Sequence, residues 1–132
     1  MKYFLSFLLL FVTTLFAEVK HQYVDQKLLD SGIQIVDIRT PGEWKDTGLV
    51  QGSIPIMFFN ERGGYNVEQF LNELNQKIDT KKEFALICNS GSRTRILADF
   101  LSKKLGYNVI DLKGGIRYGM GKNIPLESYK GK

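Results

Sequence analysis

The chain contains a single cysteine, Cys88, at the start of a short polar segment that runs to Thr94. The apolar run 84–87 leads directly into the cysteine and is typical of a buried strand. Beyond Arg93 the apolar residues recur at spacings of three and four, which predicts a helix that ends at Gly106. Cys88 is therefore predicted to lie on a turn at a helix N-terminus, where unpaired N–H groups and the helix dipole favour an anion.

This position predicts a nucleophilic thiolate, because helix N-termini and neighbouring cations favour the ionised form of a thiol. Arg93 is open to two interpretations, as a partner for a substrate oxyanion or as a structural brace for the loop. Alternatively, Cys88 is only a small apolar residue at the end of a core strand. The glycine, the arginine and the following helix favour the reactive interpretation. The predicted substrate-binding residues are those of the loop itself: Asn89, Ser90, Gly91, Ser92 and Arg93.

The segment from Cys88 to Thr94 resembles the C-x-x-G-x-R-[ST] active-site loop of single-domain rhodanese-like sulfurtransferases. Three further segments resemble the family in the same order along the chain: Asp37–Trp44, Gly48–Pro55 and Leu112–Ile116. Together they span roughly residues 20 to 127. One departure is Leu49, where the family usually has a histidine that packs and forms hydrogen bonds.

The resemblance implies an enzyme that moves a sulfane sulfur through a persulfide on Cys88. The expected donor is a small sulfur-containing anion such as thiosulfate, a polysulfide or a persulfide. The expected acceptor is a thiol or another thiophilic group, including one on a protein. Neither a metal nor an organic cofactor is expected for this two-step covalent chemistry.

Three other functions stay open at this point. A persulfide carrier without turnover needs the same persulfide on Cys88. A cysteine-dependent phosphatase or arsenate reductase places five residues between its cysteine and arginine, whereas four separate Cys88 from Arg93. The shorter loop fits a sulfur atom better than a phosphoryl group. An inactive structural domain is disfavoured by the intact cysteine, glycine and arginine.

Charged residues elsewhere are interpreted as scaffold. Asp37, Arg39 and Glu43 are predicted to form an ion-pair cluster beneath the Cys88 loop, and Trp44 to belong to the core or a pocket wall. His21, the only histidine, is expected to be an exposed side chain and not a base for Cys88. With one cysteine and one histidine, a zinc site is excluded.

The elements that must position the loop alternate between strands and helices, which predicts an α/β/α sandwich with about five parallel strands. Cys88 follows one of these strands, at the sheet edge where ligands of open α/β sheets bind. Asp25 and Asn66 are predicted N-caps. Pro41 and Gly42 are expected to break a strand. The helix after the cysteine is expected to bury one apolar face, formed by Ile96, Leu97, Phe100, Leu101 and Leu105.

The composition of the 132-residue chain, with 43% hydrophobic and 24% charged residues, is that of an ordinary single globular domain. The net charge is +4, but the basic residues are scattered, so no nucleic-acid partner is expected.

The first 17 residues differ from the rest. Lys2 precedes an apolar run that is shorter than the roughly 20 residues needed to span a bilayer. Residues 1–17 are therefore predicted to be a cleavable secretory signal, with an uncleaved anchor as the alternative. The expected location is the periplasm, without stable membrane insertion after cleavage. Residues 18–127 form the predicted domain, and residues 128–132 a polar tail without a packing pattern.

Overall fold

The computed structural model describes residues 18–131, so the predicted signal at 1–17 and Lys132 lie outside the described residues. The strands are β1 (Lys20–Gln22), β2 (Gln34–Asp37), β3 (Leu49–Val50), β4 (Ile54–Pro55), β5 (Phe84–Ile87), β6 (Val109–Leu112) and β7 (Leu126–Glu127). Five of them form one sheet in the order β1-β6-β5-β2-β4, and every pair in it is parallel. The predicted α/β fold with a parallel five-stranded sheet is confirmed.

The helices are α1 (Gln26–Asp30), α2 (Pro41–Thr47), α3 (Val67–Lys77), α4 (Ser92–Leu105) and α5 (Gly115–Gly121). The predicted N-caps are both present, since the side chains of Asp25 and Asn66 accept backbone N–H groups of α1 and α3. Helix α2 was not predicted. Its Thr40 and Glu43 form a capping box and Pro41 occupies the first turn, so the residues that end a strand also begin a helix.

Both faces of the sheet are covered by apolar side chains. One face carries Phe84 and Leu86 and packs against residues of α3 and α4, including Leu74 and Leu97. The other face packs against residues of α1 and α5, including Leu28 and Ile116. All four residues of β5 are fully buried, as expected for a central parallel strand. Cys88 directly continues this strand.

The buried face of α4 differs from the predicted one. Ile96 and Leu105 are 62% and 39% exposed, and the buried residues of this helix are Thr94, Leu97, Ala98, Leu101 and Ser102. The helix is rotated so that two polar side chains, Thr94 and Ser102, face the interior in place of two apolar ones. The inward position of Thr94 brings its hydroxyl close to Cys88.

A second, two-stranded sheet pairs β3 with β7 in antiparallel fashion. It holds the C-terminal segment against α2, where the ring of Tyr129 lies 5.2 Å from that of Trp44. Tyr129 therefore packs, although the sequence around it carried no packing pattern. Within residues 18–131, no helix has the length and apolar content needed to cross a membrane.

Candidate active site

Cys88 lies at the carboxyl end of β5, between the ends of β2 and β6, and its side chain is fully buried. The backbone N–H of Gly91 donates to Cys88 Sγ at 3.2 Å. The carbonyl oxygens of Cys88 and Asn89 point the other way, because they accept from Ile116 N at 2.9 Å and Arg117 N at 3.2 Å at the start of α5. With these carbonyls held by α5, the Gly91 N–H faces the sulfur, and a backbone donor in that place interacts favourably with negative charge on it.

The loop and the Gly114-Gly115 turn can approach closely because both contain glycine. Gly91 has a φ of +99°, and a Cβ there would lie 2.8 Å from Gly114 N. Gly115 has a φ of +59°, and a Cβ there would collide with the Asn89 carbonyl. Any side chain at either position would push the turn away from the loop and remove the hydrogen bonds that orient it.

The predicted substrate-binding residues lie on different sides of the loop. Ser90, Gly91 and Ser92 line an open cleft of about 440 Å³ at the N-terminus of α4. Asn89 is directed away, and its Oδ1 accepts from Arg117 Nε at 3.2 Å. The structure thus brings three of these residues together along one cleft, in which Gly91 alone also contacts the sulfur, while contact with a substrate stays a prediction for all of them.

Arg93 binds Glu43 of α2 through a two-pronged ion pair, with Nη1–Oε1 and Nη2–Oε2 distances of 2.7 Å. The hydrogen bonds from Arg93 hold the pKa of Glu43 below its usual value, and those to Glu43 raise the pKa of Arg93. The geometry is that of a brace between the loop and α2. A substrate contact by Arg93 would require the guanidinium to share or leave this partner.

The predicted ion-pair cluster is divided into two separate pairs. Asp37 and Arg39 form their own pair, with an Oδ2–Nη2 distance of 2.9 Å, and both side chains are almost completely buried. Trp44 Nε1 donates to Asp37 Oδ1 at 3.0 Å, and Arg39 also donates to Thr47 Oγ1 and the Gly48 carbonyl, both at 2.8 Å. This network ties β2 to the middle and the C-terminal end of α2, which is a scaffold role.

Thr94, the last residue of the predicted loop, and two residues that the sequence did not associate with the site, Asp111 and His21, form a hydrogen-bonded chain to the sulfur. Thr94 Oγ1 lies 3.6 Å from Cys88 Sγ and donates to Asp111 Oδ1 at 2.6 Å. His21 Nδ1 lies 2.7 Å from Asp111 Oδ2. An acid in the otherwise apolar strand β6 was a sequence indication of a special role, since carboxylates are rarely buried without a partner. The His21 contact depends on the parallel pairing of β1 with β6, which places His21 opposite Asp111.

Two other features of the described residues bear on ligands. Among residues 18–131, no cluster of histidine, cysteine, aspartate and glutamate is arranged to hold a metal ion. A groove of about 600 Å³ is lined by aromatic residues that include Phe58, Tyr65 and Phe70. Trp44 is 5% exposed and also lines this groove, so it belongs to both the core and a pocket wall.

Known proteins that are similar to this chain include rhodanese-like domains and an uncharacterized protein. A family model described as the rhodanese-like domain matches residues 20–119. The rhodanese-like domain-containing protein 17 of Arabidopsis thaliana is 30% identical over 138 residues, which cover 92% of this chain and 88% of the relative. An uncharacterized protein of Rickettsia prowazekii is 34% identical over 90 residues, covering 64% of this chain and 72% of the relative. The crystal structure of a rhodanese-related protein from Thermoplasma volcanium superposes with a TM-score of 0.64 and 25% identity, covering 85% of this chain and 100% of that chain.

Proposed function

The chain belongs to the rhodanese-like family, and from this membership and the geometry around Cys88 we propose that it is a sulfurtransferase that works through a Cys88 persulfide. The observation that carries the proposal is the position of Cys88 Sγ, which accepts the Gly91 N–H at 3.2 Å at the N-terminus of a 14-residue helix. The Gly91 N–H and the helix dipole stabilise the negative charge that the sulfur carries during the attack and in the persulfide.

The reaction proceeds in two steps. The Cys88 thiolate attacks the outer sulfur of a small anionic donor such as thiosulfate, a polysulfide or a persulfide, and the remainder of the donor leaves with the electron pair of the broken bond. The persulfide anion is stabilised by the N–H groups of the 89–93 loop. A thiol or another thiophilic acceptor, including one on a protein, then removes the outer sulfur, so ping-pong kinetics are expected.

The burial of Cys88 supports a second candidate, a persulfide carrier with little turnover. A sulfur with no exposed surface is shielded from small solutes, which would preserve a persulfide until a partner opens the loop. A carrier and an enzyme differ in how readily they release the bound sulfur to a small acceptor. A carrier loads one sulfur from thiosulfate and stops when cyanide is the only acceptor, whereas an enzyme continues to produce thiocyanate.

Phosphatase and arsenate reductase activities are not part of the proposal. Helix α4 begins at Ser92, only four positions after Cys88, and the loop is short enough that the Gly91 N–H reaches Cys88 Sγ at 3.2 Å. Hydrolysis of p-nitrophenyl phosphate by the protein, dependent on Cys88, would overturn the assignment in favour of a phosphatase.

We also propose that the mature protein is exported to the periplasm after cleavage near Ala17. The support is the sequence of residues 1–17, in which Lys2 precedes an apolar run. The N-terminal mass of the protein recovered from a periplasmic fraction tests this, and a full-length chain in the membrane fraction would favour the anchor.

The central experiment is intact-mass analysis of the mature protein after exposure to thiosulfate, combined with a thiocyanate assay. We expect the mass to increase by one sulfur atom, a reductant to reverse the increase, and thiocyanate to form on addition of cyanide. Cys88→Ser should abolish both the added mass and the turnover, because the hydroxyl is a far weaker nucleophile at neutral pH. Full turnover by a folded Cys88→Ser variant would contradict the proposal.

A further inference from the structure

We propose that Asp111, acting through Thr94, accepts the proton that Cys88 loses during sulfur transfer, and that His21 positions Asp111 for this task. The inference rests on the proposed sulfurtransferase function and identifies how that site activates its thiol. It rests on three contacts in series, Cys88–Thr94 at 3.6 Å, Thr94–Asp111 at 2.6 Å and Asp111–His21 at 2.7 Å.

The contacts run from the core to the edge of the molecule, with the proton acceptor Asp111 still inside. Cys88 and Thr94 are fully buried and Asp111 is 2% exposed, whereas the His21 side chain is 48% exposed. His21 and Asp111 both line the 440 Å³ cleft beside the loop. A proton released at Cys88 therefore has a hydrogen-bonded path to Asp111, whose other carboxylate oxygen contacts the half-exposed His21.

The chemistry of the four groups fixes the direction of the hydrogen bonds. A hydroxyl has one proton to donate, and Thr94 gives it to the Asp111 carboxylate, its closest acceptor, in preference to the Gly91 carbonyl at 3.2 Å. The lone pairs of Thr94 Oγ1 are then available to the Cys88 S–H. An ionised carboxylate can only accept, so His21 carries its proton on Nδ1 and donates it to Asp111 Oδ2. Each group is thus oriented to move a proton from sulfur towards Asp111.

Charge favours one proton shared between Cys88 and Asp111. A thiolate and a carboxylate held on either side of one hydroxyl would repel each other, so the proposed pathway keeps one negative charge at a time on the pair. The titratable and charged side chains around Asp111 are Cys88, His21, Arg95 and Lys113, the last two on the wall of the same cleft. The cations favour a single negative charge in this region, which rests on Asp111 before the reaction and on sulfur during it.

The proposed step balances in atoms and charge. The Cys88 S–H proton moves to Thr94 Oγ1 while the Thr94 hydroxyl proton moves to Asp111 Oδ1. With thiosulfate as donor, the sulfur lone pair of Cys88 bonds to the outer sulfur, the S–S bond breaks and sulfite leaves with its electrons. Asp111 is then neutral and Cys88 carries an anionic persulfide. When cyanide removes the outer sulfur as thiocyanate, the proton returns from Asp111 through Thr94 to Cys88.

The test is the pH dependence of kcat/KM for thiosulfate in the wild-type protein, Asp111→Asn, Thr94→Val and Thr94→Ser. At about pH 7, loss of an internal proton acceptor should slow the reaction by about 10²-fold, the lower end of general-base effects. Above about pH 8.5, where an ordinary thiol ionises without help, the deficit should shrink.

Thr94→Ser retains the hydroxyl and should be much faster than Thr94→Val. The double variant Thr94→Val/Asp111→Asn should be no slower than the slower single variant, because both remove one pathway.

His21→Gln should cause a smaller loss than Asp111→Asn with the same recovery at high pH. A wild-type protein without turnover would refute the sulfurtransferase proposal itself. With an active wild type, a deficit in Asp111→Asn and Thr94→Val that is equal at every pH, or no deficit, would overturn the proton pathway. If Asp111→Asn fails to fold, the comparison of Thr94→Val with Thr94→Ser decides the question.

Discussion

At the scale of single residues, the charged side chains around the loop divide into a buried structural pair and a half-buried brace. Asp37 and Arg39 satisfy each other inside the core, where loss of one partner would leave an uncompensated charge. Glu43 and Arg93 are 30% and 25% exposed, so solvent screens their attraction. The second pair is therefore expected to set the position of the loop more than the stability of the domain.

The brace predicts a dependence of stability on acid. Arg93 lowers the pKa of Glu43 in the folded protein, so its contribution is fully present above the unfolded value near ~4.3 and disappears as the pH falls through the lower folded value. We expect Glu43→Gln to lower the free energy of unfolding by about 0.5–1 kcal/mol at neutral pH and by less below pH ~4. Urea unfolding of both proteins at the two pH values measures this. An equal difference at both would mean that the charge of Glu43 contributes nothing.

The sequence singled out Cys88 as the candidate nucleophile, which stays a prediction, but it did not reveal the residues that surround the sulfur. Cys88 and its loop could be recognised because the strand, the turn and the helix are contiguous. The partners of the sulfur beyond the loop come from β1 and β6, which are distant in sequence, and their meeting depends on strand order. His21 could be interpreted only as an exposed histidine until β6 was placed beside β1.

At the scale of elements, predictions based on local patterns were the most accurate. The caps at Asp25 and Asn66, strand β5 and the stop at Gly106 each depend on neighbouring residues, and all are present. Helix α2 and the β3–β7 pair were not predicted. The first is only seven residues long and lacks an apolar period, and the second needs a contact between chain segments far apart in sequence.

The turn before α5 and the Cys88 loop are expected to behave as one unit, which Gly115→Ala tests. The alanine Cβ would meet the Asn89 and Cys88 carbonyls at a positive φ. We expect a loss of about 2–3 kcal/mol in unfolding free energy and a large fall in sulfur transfer. Gly106→Ala is the matched control, since its φ of +69° is similar but nothing lies within 4 Å of the added Cβ. Its cost should be about 1 kcal/mol with turnover retained. Equal effects of the two substitutions on turnover would contradict the coupling.

At the scale of the whole molecule, the fold encloses its only thiol. Cys88 lies in the larger apolar cluster with residues of β2, β5, α3 and α4, and it has no exposed surface. A donor can reach the sulfur only when the residues that cover it move, so access is governed by a local opening equilibrium. In the periplasm, to which we propose that the chain is exported, the same enclosure would protect a lone thiol from oxidation.

This enclosure predicts that reaction at Cys88 depends on the size of the reagent. We expect folding to slow the reaction of Cys88 with fluorescein maleimide more than its reaction with N-methylmaleimide. The reference for each reagent is its rate of reaction with the urea-unfolded chain. For each reagent, the rate with the folded protein is divided by the rate with the unfolded chain. Because the two reagents share one chemistry, any activation of the thiolate affects both quotients equally, and the difference between the quotients reports access to the sulfur. Each additional ~1.4 kcal/mol of opening free energy that the larger reagent requires lowers its relative rate by about tenfold. Intact-mass sampling over time gives all four rates. Identical slowing of both reagents would mean that the sulfur is reached without size selection, and the enclosure would then have no role in selecting small anionic donors.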